Sequence, residues 1–352
     1  IALNILILPF SLSLDYSIYE IIRLIKYFIW FIFLRDFIRN WDNFKVLIYA
    51  FLTIIFTQLL VVIVQSTTGV GFSGWKNSDE NQLNMIGESV FRASGTFGHP
   101  GVLSQFLVIL LPFLYMACVS FNNDKKIRIL SFTGFLSIYY IVVQSYARAG
   151  IIISIVVSLI IFFLFVKENK SITKKVSSLI LVAGISALGF YSFFDDIVYR
   201  FTNASIESSD IRFWLNESAF RMISDRPLVG VGLNSFSEVL HLYDTNSAVS
   251  YLKYPVHNVY LLILSESGIF IGLFFIFINI YFIMNAFLKA KYSYSFFSKG
   301  NFAFSLFLSL IIISLFALQG WSWRLDSIQA LYWLLIALAS NLQFDRVKNI
   351  KG

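Results

Sequence analysis

The sequence predicts an all-α fold: a polytopic integral membrane helical bundle of about ten spans, with a large outer-face loop that carries a short amphipathic helix. Three observations carry that expectation. Hydrophobic residues make up 58% of the chain and charged residues only 13%, against roughly 45–50% and ~25% in soluble domains. The apolar residues gather in runs of about 20, the length a helix needs to cross the hydrocarbon core while satisfying its own backbone hydrogen bonds. The connections between runs alternate between short basic segments and longer ones poorer in lysine, the pattern of a chain that threads a membrane repeatedly.

In chain order the expected spans are 1–14, 18–38, 44–66, 101–121, 127–146, 150–167, 176–194, 258–284, 301–319 and 327–343. The first begins apolar at Ile1 and is expected to be cut short; no basic leader precedes it, so it reads poorly as a signal peptide. The second carries Glu20, Arg23 and Lys26 in its early turns, and charges at that depth must snorkel or pair. The basic connections are 35–45, 122–128, 167–175, 289–299 and the tail 345–352, which the positive-inside rule assigns to the cytoplasm. The other set comprises 67–100, the turn near 146–149, 195–257 and 320–326. The chain is therefore expected to be one membrane domain, 1–352, with a first outer loop at 67–100 and a large outer loop at 195–257. Trp30, Trp41, Trp321, Trp323 and Trp333 stand near span ends, as interfacial aromatics should.

Loops of that length usually have a task or are disordered. Within 195–257, "SSDIRFWLNESAFRMISDRP" offers capping residues, places Ile211, Trp214, Leu215, Ala219 and Met222 at helical spacing, and stops before Pro227. The following "PLVGVGLNSF" (227–236) reads as a tight, closely packed turn and lacks phosphate-loop spacing.

Composition and motifs exclude several classes. One cysteine, Cys118, permits no intrachain disulfide and no cysteine-based metal cluster. The net charge of +7 lies mostly in short loops between spans, which argues against nucleic acid as a partner. There is no HExxH, Walker sequence or serine nucleophile elbow, and the three histidines are His99, His241 and His257. No metal and no cofactor are expected.

The polar residues that could do chemistry lie in or beside the outer loops. Arg92 and His99 flank a glycine-containing turn, with Pro100 suited to open the next helix; the pair reads as an anion site beside a helix N-terminus, or as a headgroup-facing arginine and a loop anchor. Arg148, in "SYARAG", sits in a turn so short that it is nearly within the bundle. It reads as a buried clamp for phosphate or pyrophosphate, or as a snorkelling interface residue. Arg212, near the start of the loop helix, would add a bidentate partner where the helix dipole already favours an anion; Arg221 and Arg226 are weaker candidates of the same kind, and Asp210 and Glu217 read equally as solvated. In "PVHNVYLLILSESG", Pro255 holds His257 and Asn258 just before a span, where imidazole can accept one proton and donate another. Glu266 follows nine residues later, ~13–14 Å down a straight helix, too far for direct contact with His257. It reads chiefly as a structural partner of another span.

Four stretches then carry a resemblance: "RASGTFGHPGVL" (92–103), "SYARAG" (145–150), "DIRFWLNESAFRMISDRPLVGVGLNSF" (210–236) and "PVHNVYLLILSESGIFIGL" (255–273). In order and placement they resemble the O-antigen ligase and O-antigen polymerase superfamily of bacterial surface polysaccharide assembly. The likeness is strongest over about 85–280. Arg148, Arg212 and His257 match the family pattern as catalytic residues; Arg92 and Glu266 match more loosely and, with Asn258 and Arg221, are expected to bind substrate. His99 stands where relatives often carry asparagine.

The resemblance implies a metal-independent glycosyltransferase in the bacterial inner membrane, with its active site on the periplasmic or extracellular face. Its donor would be a glycan on undecaprenyl pyrophosphate, and its acceptor a glycan hydroxyl on a second lipid-linked repeat (polymerase) or a lipid A core sugar (ligase). The implied companions are membrane lipid, a polysaccharide flippase and a chain-length regulator. A polyprenyl-glycan transporter and a non-enzymatic assembly protein are the alternatives from other classes.

Overall fold

The computed structural model describes residues 1–38, 41–69, 85–86, 90–121, 124–168, 206–245, 249–291 and 302–341. Among the described residues the fold is all-α apart from one two-residue antiparallel ladder, β1 (Met85–Ile86) with β2 (Val90–Phe91). The expected span at 176–194 lies outside the described residues.

The helices are α1 (Ala2–Ile7), α2 (Leu14–Phe37), α3 (Trp41–Thr68), α4 (Pro100–Ser120), α5 (Lys125–Gln144), α6 (Arg148–Glu168), α7 (Ile206–Asp225), α8 (Phe236–Val239), α9 (Val259–Lys291), α10 (Phe302–Ala317) and α11 (Asp326–Ser340). Among the described residues four are long and apolar enough to cross a membrane: those at Asp42–Thr68, Pro100–Cys118, Lys125–Gln144 and Val259–Lys291. Shorter apolar helices run over Arg148–Ile161, Phe302–Ala317 and Asp326–Ser340. The expected first span is a six-residue helix followed by a 3-10 turn at Leu8–Phe10, where Pro9 cannot continue an α-helical ladder.

The chain forms two compact units. The first comprises Ile1–Phe37, Ala204–Asn285 and Ile313–Ser340; the second comprises Ile38–Asn203, Ala286–Ile312 and Asn341–Gly352.

In the first unit α2 packs on α11. Trp30 Nε1 donates to the Ala330 carbonyl, and Phe28 and Phe31 meet the Trp333 ring edge-on. The loop helix α7 buries Leu215, Ala219 and Met222, with Ile211 and Trp214 at the margin, against Val231, Phe236, Val239, Leu240, Val249, Val256 and Leu262. These five α7 residues share the face that 3.6-residue periodicity assigns them, so segment 206–267 has its own apolar core.

In the second unit α4 is the most enclosed helix, with Leu103, Leu107, Val108, Ile109, Leu110, Leu111, Phe113 and Leu114 fully buried. Pro112 interrupts its hydrogen-bond ladder. Ser309 and Ser305 of α10 donate to the Ile109 and Pro112 carbonyls at 2.7 and 2.9 Å, tying α10 to α4 beside the proline.

Candidate functional site

The second unit holds Arg92 and Arg148. Ala93 N–H donates to the Gln144 carbonyl at 3.0 Å, and Arg92 Nε donates to the Ser145 carbonyl at 3.3 Å. The segment after β2 is thereby fastened to the turn joining α5 and α6, whose third residue, Ala147, precedes Arg148 at the start of α6. Ser145 Oγ braces the turn, donating to Val142 O and accepting from Ala147 N–H. Tyr146 is buried and adopts a left-handed backbone, φ 47°. That conformation is costly for a bulky residue and persists only where the surroundings impose it.

Two glutamines of α3 hold the neighbouring turn. Gln65 Oε1 accepts from Ser94 N–H (3.2 Å) and Gly95 N–H (2.8 Å), and its Nε2 donates to Gly95 O (3.1 Å). Gln58 Oε1 accepts from Thr96 N–H at 2.9 Å and its Nε2 donates to Thr96 Oγ1 at 2.7 Å. Both glutamines are buried. A primary amide offers a donor and an acceptor on one plane, so each satisfies a backbone turn that would otherwise carry orphan polar groups inside a helical bundle.

His99 caps α4, its Nδ1 accepting from Gly101 N–H at 3.1 Å. The residue has an exposed edge, yet packing around the ring and, second, the Arg92 charge push its pKa down from 6.5 to about 4. The neutral imidazole is also the form that can accept from Gly101 N–H.

The first unit holds Arg212, Arg221, His257, Asn258 and Glu266. Arg212 is exposed on α7, and Arg221, also on α7, is ion-paired one turn away with Glu217. His257 is half-buried two residues before α9. Asn258 Oδ1 accepts from Tyr260 N–H (2.9 Å) and Leu261 N–H (3.2 Å), capping α9 and fixing where the chain carrying His257 turns into the helix.

α9 is broken. Gly268 has φ 81° and ψ 170°, dividing the helix into Val259–Ser267 and Ile269–Lys291. The second part alone has about 35 Å of rise, enough for the hydrocarbon core. The "PLVGVG" stretch fills the break: Val231 N–H donates to Ser265 O and Gly232 N–H to Glu266 O, both at 2.9 Å, while Ile269 N–H donates to Pro227 O at 2.8 Å. A side chain at Gly230 would strike the Glu266 carbonyl, and one at Gly268 the Leu228 carbonyl. The glycines read from sequence as a closely packed turn are thus what lets one backbone lie against another.

The Glu266 side chain lies at this break and is buried. Oε1 accepts from Phe236 N–H at 3.2 Å, and Oε2 is ion-paired with Arg324. Arg324 also meets Glu20 Oε1 at 3.0 Å, Glu20 meets Arg23 at 2.9 Å, and Arg23 Nη1 donates back to the Arg324 carbonyl at 2.5 Å. Two carboxylates and two guanidiniums form a buried neutral set. Asp326, held by Lys26 at 3.2 Å and by the Tyr27 hydroxyl at 2.5 Å, extends it to the surface. Sequence reasoning required Glu20, Arg23 and Lys26 to snorkel or pair; they pair. It did not find Arg324 as the partner of Glu266, or the two glutamines of α3. The signals available were Glu20 and Arg23 one turn apart, Gln58 and Gln65 two turns apart in an apolar run, and an arginine inside the short "GWSWRLD" turn.

Among the described residues no three His, Cys, Asp or Glu side chains converge as a metal donor set.

Residues 132–277 match the family described as O-antigen ligase. That segment is a member of the O-antigen ligase family. It contains Arg148, Arg212, Arg221, His257, Asn258 and Glu266, whereas Arg92 precedes it. The family match agrees with the resemblance read from the motifs, three of which fall inside the matched range. No curated protein gives a significant match to the chain. The match over 132–277, in a chain with several helices long and apolar enough to cross a membrane, is consistent with a multi-pass membrane protein of surface-polysaccharide assembly.

Proposed function

We propose that the protein is a metal-independent glycosyltransferase that polymerises surface polysaccharide (O-antigen, capsule or exopolysaccharide) from repeat units linked to undecaprenyl pyrophosphate. The observation that carries the reading is that the segment belonging to the O-antigen ligase family contains Arg148, Arg212 and His257. In the proposed reaction an acceptor sugar hydroxyl attacks the anomeric carbon of the donor glycan. The new glycosidic C–O bond forms as the bond to pyrophosphate breaks, and its electron pair leaves with undecaprenyl pyrophosphate. Arg148 and Arg212 stabilise the growing negative charge, with Arg92 and Arg221 assisting on the lipid pyrophosphate. His257 orients the acceptor hydroxyl and takes its proton, imidazole being the side chain whose ordinary pKa suits that transfer. Asn258 and Glu266 keep His257 at the head of α9.

The remaining finer statements belong to the same proposal. The chain crosses the bacterial inner membrane about ten times, and the loops 67–100 and 195–257 lie on the periplasmic or extracellular face. The whole chain works as one membrane domain beside a flippase and a chain-length regulator. The charge asymmetry of the connections supports this orientation.

A second reading, transfer of the glycan to lipid A core, is favoured by the matched family's description as O-antigen ligase. A transporter would use broken helices to hold substrate or ions. The break in α9 is instead satisfied by the chain's own 227–232 backbone, which supports the transferase reading. The test is purified protein in proteoliposomes given one lipid-linked repeat, with and without lipid A core acceptor, in the presence of a chelator. A ladder of products indicates the polymerase, a single transfer to core the ligase, and no glycan product removes both.

A further inference from the structure

We infer that Arg324 is a positioning residue for His257, acting through Glu266 and the break in α9; this deepens the proposed transferase reading and rests on it. Arg324 lies outside the matched family segment, so nothing in the match assigns it a role.

The argument starts from the cost of burying charge. An isolated guanidinium or carboxylate in a low-dielectric interior is strongly unfavourable, and it persists only when paired and hydrogen-bonded. Arg324 pairs with two carboxylates at once, Glu266 on α9 and Glu20 on α2, using the fixed fork of its guanidinium. Its own backbone is held by Arg23 at 2.5 Å. The turn that carries it is anchored by Trp323, whose ring sits 4.6 Å from that of Tyr332 and 5.2 Å from that of Phe275. Arg324 is therefore pinned on three sides and can transmit a position.

What it transmits follows from the break. Val259–Ser267 is not continued helically into Ile269–Lys291, so the long span cannot by itself set the pose of the short segment. The restraints on the short segment's inner end are the 227–232 backbone, Phe236 N–H and Arg324. Those on its outer end include the Asn258 cap beside His257. A nine-residue helix is rigid over that length, so a shift of Glu266 is passed to His257. Displacement of a catalytic group by about 1 Å can cost about 100-fold in rate.

The experiment is steady-state turnover of the purified full chain in proteoliposomes with a lipid-linked repeat, comparing wild type, Arg324→Ala, Arg324→Lys and the paired substitution Glu266→Gln with Arg324→Gln. The paired variant removes both charges while leaving amides that can still hydrogen-bond, so it reports even where Arg324→Ala does not fold. The expected result is a fall in kcat of about 100-fold for Arg324→Ala or for the paired variant. The KM for the lipid-linked donor should stay within about threefold of wild type, because the pyrophosphate clamp is untouched, and Arg324→Lys should recover part of the loss. Folded variants with kcat within about twofold of wild type overturn the inference. A donor KM that rises as much as kcat falls also overturns it, because Arg324 would then be binding substrate. Absence of product from wild type would sink the transferase reading itself, whereas product from wild type with unaffected variants sinks only the positioning role.

Discussion

The two units hold their buried polar groups by different chemistry. In the first, the break in α9 is secured by charge: Glu20, Arg23, Glu266 and Arg324 form a closed ionic set. In the second, the turn after β2 is secured by neutral amides, Gln58 and Gln65, and by the hydroxyl of Ser145. The difference teaches what each arrangement tolerates. An ionic set is strong only while complete, since losing one member leaves another charge buried and unpaired. An amide clamp loses hydrogen bonds one at a time, each of modest net worth. The first unit should therefore fail abruptly on a single substitution and the second by degrees.

The largest expected effect breaks the ionic set. Arg324→Ala or Glu266→Ala alone should cost about 3–5 kcal/mol of stability, read as loss of the folded, monodisperse protein on heating in detergent. The paired Gln substitutions at both positions should cost clearly less than the two single losses added together, because neither leaves a lone charge. Equal losses would contradict the ionic account. Next, Gln65→Leu should cost about 2–3 kcal/mol, since it orphans two N–H groups and a carbonyl at once. It should also loosen the fastening of Arg92, seen as faster amide exchange over residues 92–97.

A pH-dependent effect sharpens the comparison further. The folded-state pKa of His99 is lowered to about 4 from 6.5, so between those values the unfolded chain binds more protons than the folded one. The stability this neutral imidazole supports is complete above about pH 6.5 and is lost as pH falls towards 4. His99→Asn, which can cap a helix without titrating, should flatten the pH dependence of thermal unfolding across that window. An unchanged slope would remove His99 as its source. The smallest effects belong to the exposed pair of Lys26 and the half-buried pair of Arg221. Lys26→Ala and Arg221→Ala should each change stability by about 0–1 kcal/mol, and larger losses would show these pairs to be more than surface contacts.

The sequence made the helical class legible because apolar periodicity and loop charge depend on residues near one another in the chain. The face of α7 was legible for the same reason: Leu215, Ala219 and Met222 meet the apolar core as their spacing requires. The glycines at 230 and 232 signalled a close approach, but the partner of that approach, one backbone filling a gap in another, depends on residues about 40 apart. Arg324 was out of reach for a similar reason. Nothing local in "GWSWRLD" shows that its arginine meets Glu20, some 300 positions earlier. Gln58 and Gln65 are weak signals in an apolar run, because an amide in a span reads as a helix contact before it reads as a clamp on a distant turn. Asn258 was legible as a residue of interest, yet its capping bonds needed the start of α9 to be fixed.

The central claim is that this chain transfers a lipid-linked glycan, with Arg148, Arg212 and His257 carrying the chemistry. The most direct measurement is product sizing from purified protein in proteoliposomes supplied with one undecaprenyl-pyrophosphate-linked repeat and a chelator, using wild type and His257→Ala side by side. The account predicts a ladder of elongated glycans from wild type and none from a folded His257→Ala protein. Elongation by the His257→Ala protein at the wild-type rate would contradict it.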